Sequence, residues 1–218
     1  MNKQQITQPM LNRAMMEAVD FIHPEGWDCP PTLFALVPTR LLAQHAVDVD
    51  DDSPLTLVVQ DDLPSNIEPG SEHLADYVSR VIWPDNVVGA VLAQEIKFKD
   101  TADSRDSAPR PARLFSGVIR EEFAATNDSD LVVDELLADD PDDSDNASTD
   151  DARTDAARTA GSEGIEQTLL QLRPTEEELA DAGPFAEDDI QLRGGPGIAP
   201  GVIAALRHGL DQNGHDVL

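Results

Sequence analysis

Residues 87–98, VVGAVLAQEIKF, and residues 112–121, ARLFSGVIRE, decide the fold. The first begins apolar on both faces. It ends in alternation, with Leu92, Ile96 and Phe98 inward and Glu95 and Lys97 outward, the two-residue period of a strand. The second reads as buried on both sides through its centre. Between them lies DTADSRDSAPRP at 100–111, whose Asp, Ser and Pro content makes a loop. Two long strands of matching length without a helix between them pair antiparallel, because parallel neighbours need a long crossover. IEQTLLQLR at 165–173 adds a third strand, with Thr168, Leu170 and Leu172 alternating against Gln167, Gln171 and Arg173.

Upstream, TLFALVPT (32–39) and LTLVVQ (55–60) are short apolar runs bounded by prolines and turn residues, and read as two further strands. Helical spacing occupies 8–22, where Leu11, Met15, Ala18 or Val19, and Ile22 share a face and Pro9 sits in the tolerant first turn. It returns at 71–83 with Leu74, Tyr77, Val78, Val81 and Ile82 on one stripe, Ser71 as N-cap and Pro84 as the stop. GGPGIAPGVIAALRHGL ends in a third helix, with Val202, Ile203, Leu206 and Leu210 on one face and Pro200 near its start. The expected fold is α+β: a single domain with an antiparallel five-stranded sheet in the order α-β-β-α-β-β-β-α, helices packed on one sheet face. The domain is expected from 8–123 plus 165–210, with a flexible tail at 211–218.

The 218 residues carry 43 acidic and 15 basic side chains, a net charge of −28. Nucleic acid is a poor partner for such a surface, since phosphates are bound by Lys and Arg. An anionic membrane is equally disfavoured. Residues 127–158 hold 12 acids against Arg153 and Arg158, a net of −10 in 32 residues. Their central part has no aromatic residue and little apolar surface to offset ordering entropy of about 1–2 kcal/mol per residue. A long acidic disordered insertion is therefore expected at 127–164, with Leu131, Val132, Val133, Leu136 and Leu137 forming a transient helix near its start. It reads as a solvated spacer or as a docking motif for a basic or apolar partner.

Cys29 is the only cysteine, which suits a reducing compartment. No apolar run approaches the roughly 18 residues of a membrane span. Glu17 and Asp20 interrupt the N-terminal stretch, which lacks the apolar run of a secretory signal. The expected location is cytoplasmic.

Three stretches carry a resemblance: GWDCPPTLFALVPT at 26–39, VIWPDNVVGA at 81–90 and GPGIAPGVIAAL at 195–206, with RLFSGVIRE at 113–121 fitting the same pattern. They resemble an uncharacterised actinobacterial family of small acidic cytosolic proteins, similar to a hypothetical protein of a skin propionibacterium. The resemblance covers about 8–123, 165–173 and 194–210. It implies no assigned activity, cofactor or catalytic residue. The layout of helices around a sheet is also similar to secretion-chaperone-like folds, which bind extended segments of partners, an analogy of fold alone.

The sequence contains no G-x-S-x-G elbow, phosphate loop or H-E-x-x-H helix. The five histidines are scattered and no Cys–His spacing suits zinc. DVDDDS (48–53) and DDSDN (142–146) lack the glycine and late Glu of a calcium loop. Cys29, between Asp28 and Pro30 with no basic neighbour, reads as a small, partly buried side chain rather than a nucleophile. GGPG before the last helix reads as turn chemistry rather than an anion site. No cofactor, metal ligand or catalytic residue is expected. Trp27, in a proline-rich loop, and Trp83, directly before Pro84, stand at the ends of elements, where they either anchor loops or line a binding edge. In the binding version the residues are Trp27, Asp28, Pro30, Pro31, Trp83 and Asp85. The leading functional expectation is a non-enzymatic protein-binding or regulatory module with a basic or apolar protein partner. The alternative is a small-molecule-binding protein or cryptic enzyme with a pocket near the two tryptophans.

Overall fold

The computed structural model describes residues 5–42, 53–61, 63–64, 66–99, 108–125, 164–182, 190–195 and 198–212. The chain divides into two units, Met1–Ala124 with Gly164–Leu218, and Ala125–Glu163; the first is described below. The expectations for the acidic insertion at 127–163, for its transient helix, for most of the 100–111 loop and for most of the 211–218 tail fall outside the described residues.

The first unit is α+β, with one antiparallel sheet. Helix α1 (Gln8–Ile22) precedes β1 (Thr32–Pro38), the short helix α2 (Thr39–Leu42), β2 (Leu55–Gln60) and α3 (Glu72–Ser79). Strands β3 (Gly89–Phe98), β4 (Arg110–Ile119) and β5 (Glu166–Leu172) follow, then α4 (Glu176–Ala182), β6 (Leu192–Gly194) and α5 (Pro200–Asp211). The sheet order is β2-β1-β3-β4-β5-β6, every neighbouring pair antiparallel. The sheet thus has six strands, not five: β6 pairs through Leu169↔Gly194 to Gln171↔Leu192. Only three residues long, it is too short to show a period. Strands β3 to β6 form a meander, but β2 lies outside β1, and the chain through α3 returns across β1 to reach β3.

The helices cover both faces of the sheet, not one. Phe34 and Leu36 of β1, Val91 and Ala93 of β3, and Phe115 and Ile119 of β4 point to the α1 side and pack with Leu11, Met15, Ala18, Val19 and Ile22. Their strand neighbours Leu33, Ala35, Val37, Ala90, Leu92 and Val118 point the other way, against Leu74 and Val78 of α3 and Ile203, Leu206 and Leu210 of α5. Strands apolar on both faces need cover on both. Each fully buried Leu, Phe or Val contributes about 1.5–3 kcal/mol, so the two layers hold the body together comparably.

Two glycines set the helix heights. A Cβ on Gly117 of β4 would stand 2.5 Å from Met15 Sδ of α1. On the opposite face, a Cβ on Gly209 of α5 would stand 2.6 Å from the Val78 carbonyl oxygen. The α3–α5 pair therefore meets backbone to backbone.

Helix α3 begins as expected, Ser71 Oγ accepting the Leu74 N–H at 3.2 Å. It ends at Ser79 rather than 83, so Val81 and Ile82 leave the helical stripe and Ile82 is 53 % exposed. The residue before a proline is driven out of the helical region, here Trp83 before Pro84, and the chain has already unwound by then. Ahead of α4, Thr175 and Glu178 form a reciprocal cap: Glu178 Oε2 accepts the Thr175 N–H at 2.7 Å and Thr175 Oγ1 accepts the Glu178 N–H at 3.2 Å. Among the described residues no helix is long and apolar enough to cross a membrane.

Candidate functional site

The two tryptophans lie on opposite faces of the sheet. Trp27 follows α1 and a 3-10 turn at His23–Glu25. Gly26 and Asp28 on either side of it take left-handed backbone angles (φ 75° and 67°), the first free for glycine and the second tolerated by Asp. This bend delivers the loop to Glu95 and Arg113 on the α1 face and to Arg173 just after β5. Glu95 of β3 accepts the Asp28 N–H at 2.8 Å and the Cys29 N–H at 3.4 Å. Arg113 of β4, only 2 % exposed, pairs with Glu95 at 3.3 Å and donates to the Gly26 carbonyl. Its guanidinium lies 4.6 Å from the Trp27 ring centroid, and that of Arg173, 5.5 Å away, pairs with Asp28 at 3.0 Å. Cys29 Sγ donates to the carbonyls of Glu25 and Gly26 at 3.3 and 3.5 Å. Pro30 is exposed and Pro31 buried at the start of β1. The assembly is a clasp: ionic, aromatic and backbone bonds fasten the loop to the sheet, as in the anchoring alternative for Trp27.

Trp83 belongs to the other layer. It is 2 % exposed, among α3, α5 and the strand residues beneath them. Its carbonyl accepts from Arg120 at 3.2 Å, a buried arginine just beyond β4. Trp83 also lines a cavity of about 630 Å³. The cavity walls are Leu33, Leu63, Ile67, Val81, Ile82 and Pro84, together with the Trp83 ring. Gln60, His73, Asp76, Tyr77 and Arg80 supply the polar lining. His73, Asp76 and Tyr77 come from α3 and Arg80 is its C-cap, and the 73, 76, 77, 80 spacing sets them along one side of the helix. Asp76 and Arg80 satisfy one another at 2.8 Å, so the cavity's two formal charges cancel at its mouth. The volume falls in the usual range of ligand pockets, about 300–1,000 Å³.

Of the expected site residues, the structure therefore brings Trp27 and Asp28 together in one clasp and sets Trp83 apart at the cavity. A single pocket between the tryptophans does not form, because the sheet lies between them. Asp85 is exposed in the turn before β3 and does not line the cavity. Gln60, Leu63, Ile67, His73, Asp76 and Arg80 were not singled out by the sequence. Among the described residues, no cluster of three His, Cys, Asp or Glu side chains is placed to hold a metal ion.

Among the described residues an antiparallel sheet is covered by helices on both faces, which defines an α+β protein with a cavity beside α3. More particularly, the family model described as PPA1309-like protein matches residues 11–211, and the chain belongs to that family. No curated protein and no solved structure matches the chain.

Proposed function

We propose that this chain is a non-enzymatic, protein-binding or regulatory module of the cytoplasm, and that its site is the cavity beside Trp83. The observation that carries the reading is the lining itself: seven apolar residues around about 630 Å³, with Gln60, His73, Asp76, Tyr77 and Arg80 as its polar groups. The single carboxylate on the wall, Asp76, is about half exposed and committed to Arg80. That makes it a rim charge rather than a group held dry for proton transfer. The lone cysteine fits a reducing compartment.

The test is an amide NMR titration with indole, an uncharged ring of tryptophan's own size. Shifts concentrated at Leu33, Gln60, residues 63–67 and residues 73–84 are expected. Shifts confined to the Trp27 loop, or none, would remove the cavity as a site.

A further inference from the structure

We infer that the cavity takes an apolar side chain from a polypeptide segment whose flanking residues are Lys or Arg; this rests on the binding reading above and names the partner's chemistry. The first argument is the neutral interior. With Asp76 and Arg80 paired at 2.8 Å, a charged group entering the cavity loses water and finds no free counter-ion among these two. An apolar group entering gives up no charge hydration and covers the partly exposed Leu63, Ile67 and Val81.

The second argument is the apolar surface outside the mouth. Ile82, on the rim, is 53 % exposed, and Val58, on the same side of β2 as the lining residue Gln60, is 36 % exposed. A small molecule enclosed by the cavity touches only Ile82 of these two, because Val58 is not in the lining. A chain segment with one residue in the cavity and others running along β2 covers them. Among the described residues β2 is the edge of the sheet, an extended backbone for such a segment to follow.

The third argument is charge. The stretch that builds most of the cavity wall, 60–85, carries Asp61, Asp62, Glu68, Glu72, Asp76 and Asp85 against Arg80 alone, a net of −5 within a chain of −28. A second copy of this chain would bring the same charge to that surface and be repelled. A cationic segment is attracted over about a Debye length, roughly 8 Å at physiological salt.

The experiment uses the full chain and three synthetic peptides. One has a Leu-Phe-Leu centre flanked by two Lys on each side; the second has the same centre flanked by Glu; the third keeps the Lys flanks around Ser-Ser-Ser. By calorimetry at physiological salt, the first is expected to bind at least about tenfold tighter than either of the others, a difference of about 1.4 kcal/mol. Ile82→Ser, at an exposed position with little bearing on folding, should weaken it about fivefold or more. Equal binding of the Lys- and Glu-flanked peptides overturns the charge argument. Equal binding of the Leu-Phe-Leu and Ser-Ser-Ser peptides, or indifference to Ile82→Ser, overturns the use of the cavity. Failure of all three overturns the inference, and the indole titration then separates it from the parent reading: a chain that still takes indole keeps its site and loses only this partner.

Discussion

Removing the Arg113 side chain, as in Arg113→Leu, tests whether the Trp27 loop is a clasp. Arg113 is 2 % exposed and Glu95 17 %, so their pair at 3.3 Å is largely shielded from water. Leucine in its place leaves the Glu95 carboxylate facing only the N–H groups of Asp28 and Cys29, and leaves the Gly26 carbonyl without that donor. Breaking one side of a buried pair costs about 3–5 kcal/mol, most of it the stranded charge. The lost cation–π contact with Trp27 adds about 0.5–2 kcal/mol at most, and overlaps with that figure. Glu95→Gln keeps an oxygen for the two N–H groups and removes the charge, for an expected cost of about 1–3 kcal/mol. The double variant should cost less than the two singles together by about 1–3 kcal/mol, because the stranded charge is gone. Arg173→Ala is the control: its pair with Asp28 is exposed and worth about 0–1 kcal/mol. Urea unfolding followed by far-UV circular dichroism measures all four. A loss below about 1 kcal/mol for Arg113→Leu, or strict additivity, would refute the clasp.

Two further outcomes are expected. The hydrogen bond from the Thr175 N–H, and then the Arg110 guanidinium 2.7 Å from the carboxylate, hold the Glu178 carboxyl below its ordinary value of 4.5. A carboxyl lowered in the folded chain stabilises above its unfolded value, and that contribution is lost as pH falls through the folded value. The cap on α4 should therefore persist at neutral pH and open in acid; carboxyl NMR titration should place the Glu178 midpoint below the ordinary 4.5, and a midpoint at or above it would contradict the cap. Replacing 125–163 by a short Gly/Ser linker should leave the sheet folded. Ile6 bonds Phe123 at 2.7 Å on one side of the segment, and Arg207 bonds Gly164 and Glu166 at 3.0 and 2.7 Å on the other. Loop closure depends only weakly on length. Loss of the cooperative urea transition would show that the segment is part of the fold.

Much of the fold was legible where the period was long enough to read. Strands β3 and β4 and helices α1 and α5 have several turns or alternations each, and their apolar residues supply most of what is buried; β5 alternates less cleanly, with Gln171 buried and Leu172 half-buried. Three-residue β6 and four-residue α2 have no period to show. The two-sided cover was present in VVGAV, whose apolar residues on both strand faces require a helix layer on each. Arg113 resisted reading: one charge in an apolar strand resembles a strand end, and only the approach of a loop from 87 residues earlier buries it. The cavity resisted too, since β1, β2, a loop and α3 each give only a few residues to it. One signal was available, the 73, 76, 77, 80 spacing beside the apolar stripe of α3.

The sheet that parts the two tryptophans also makes them separate optical reporters. In Trp83→Phe the remaining indole emits from beneath two guanidinium groups on the α1 side. In Trp27→Phe the emitter is the indole wedged between α3 and α5. A single chain thus offers one fluorophore for each layer, so loosening of one face can be followed while the other serves as its internal reference.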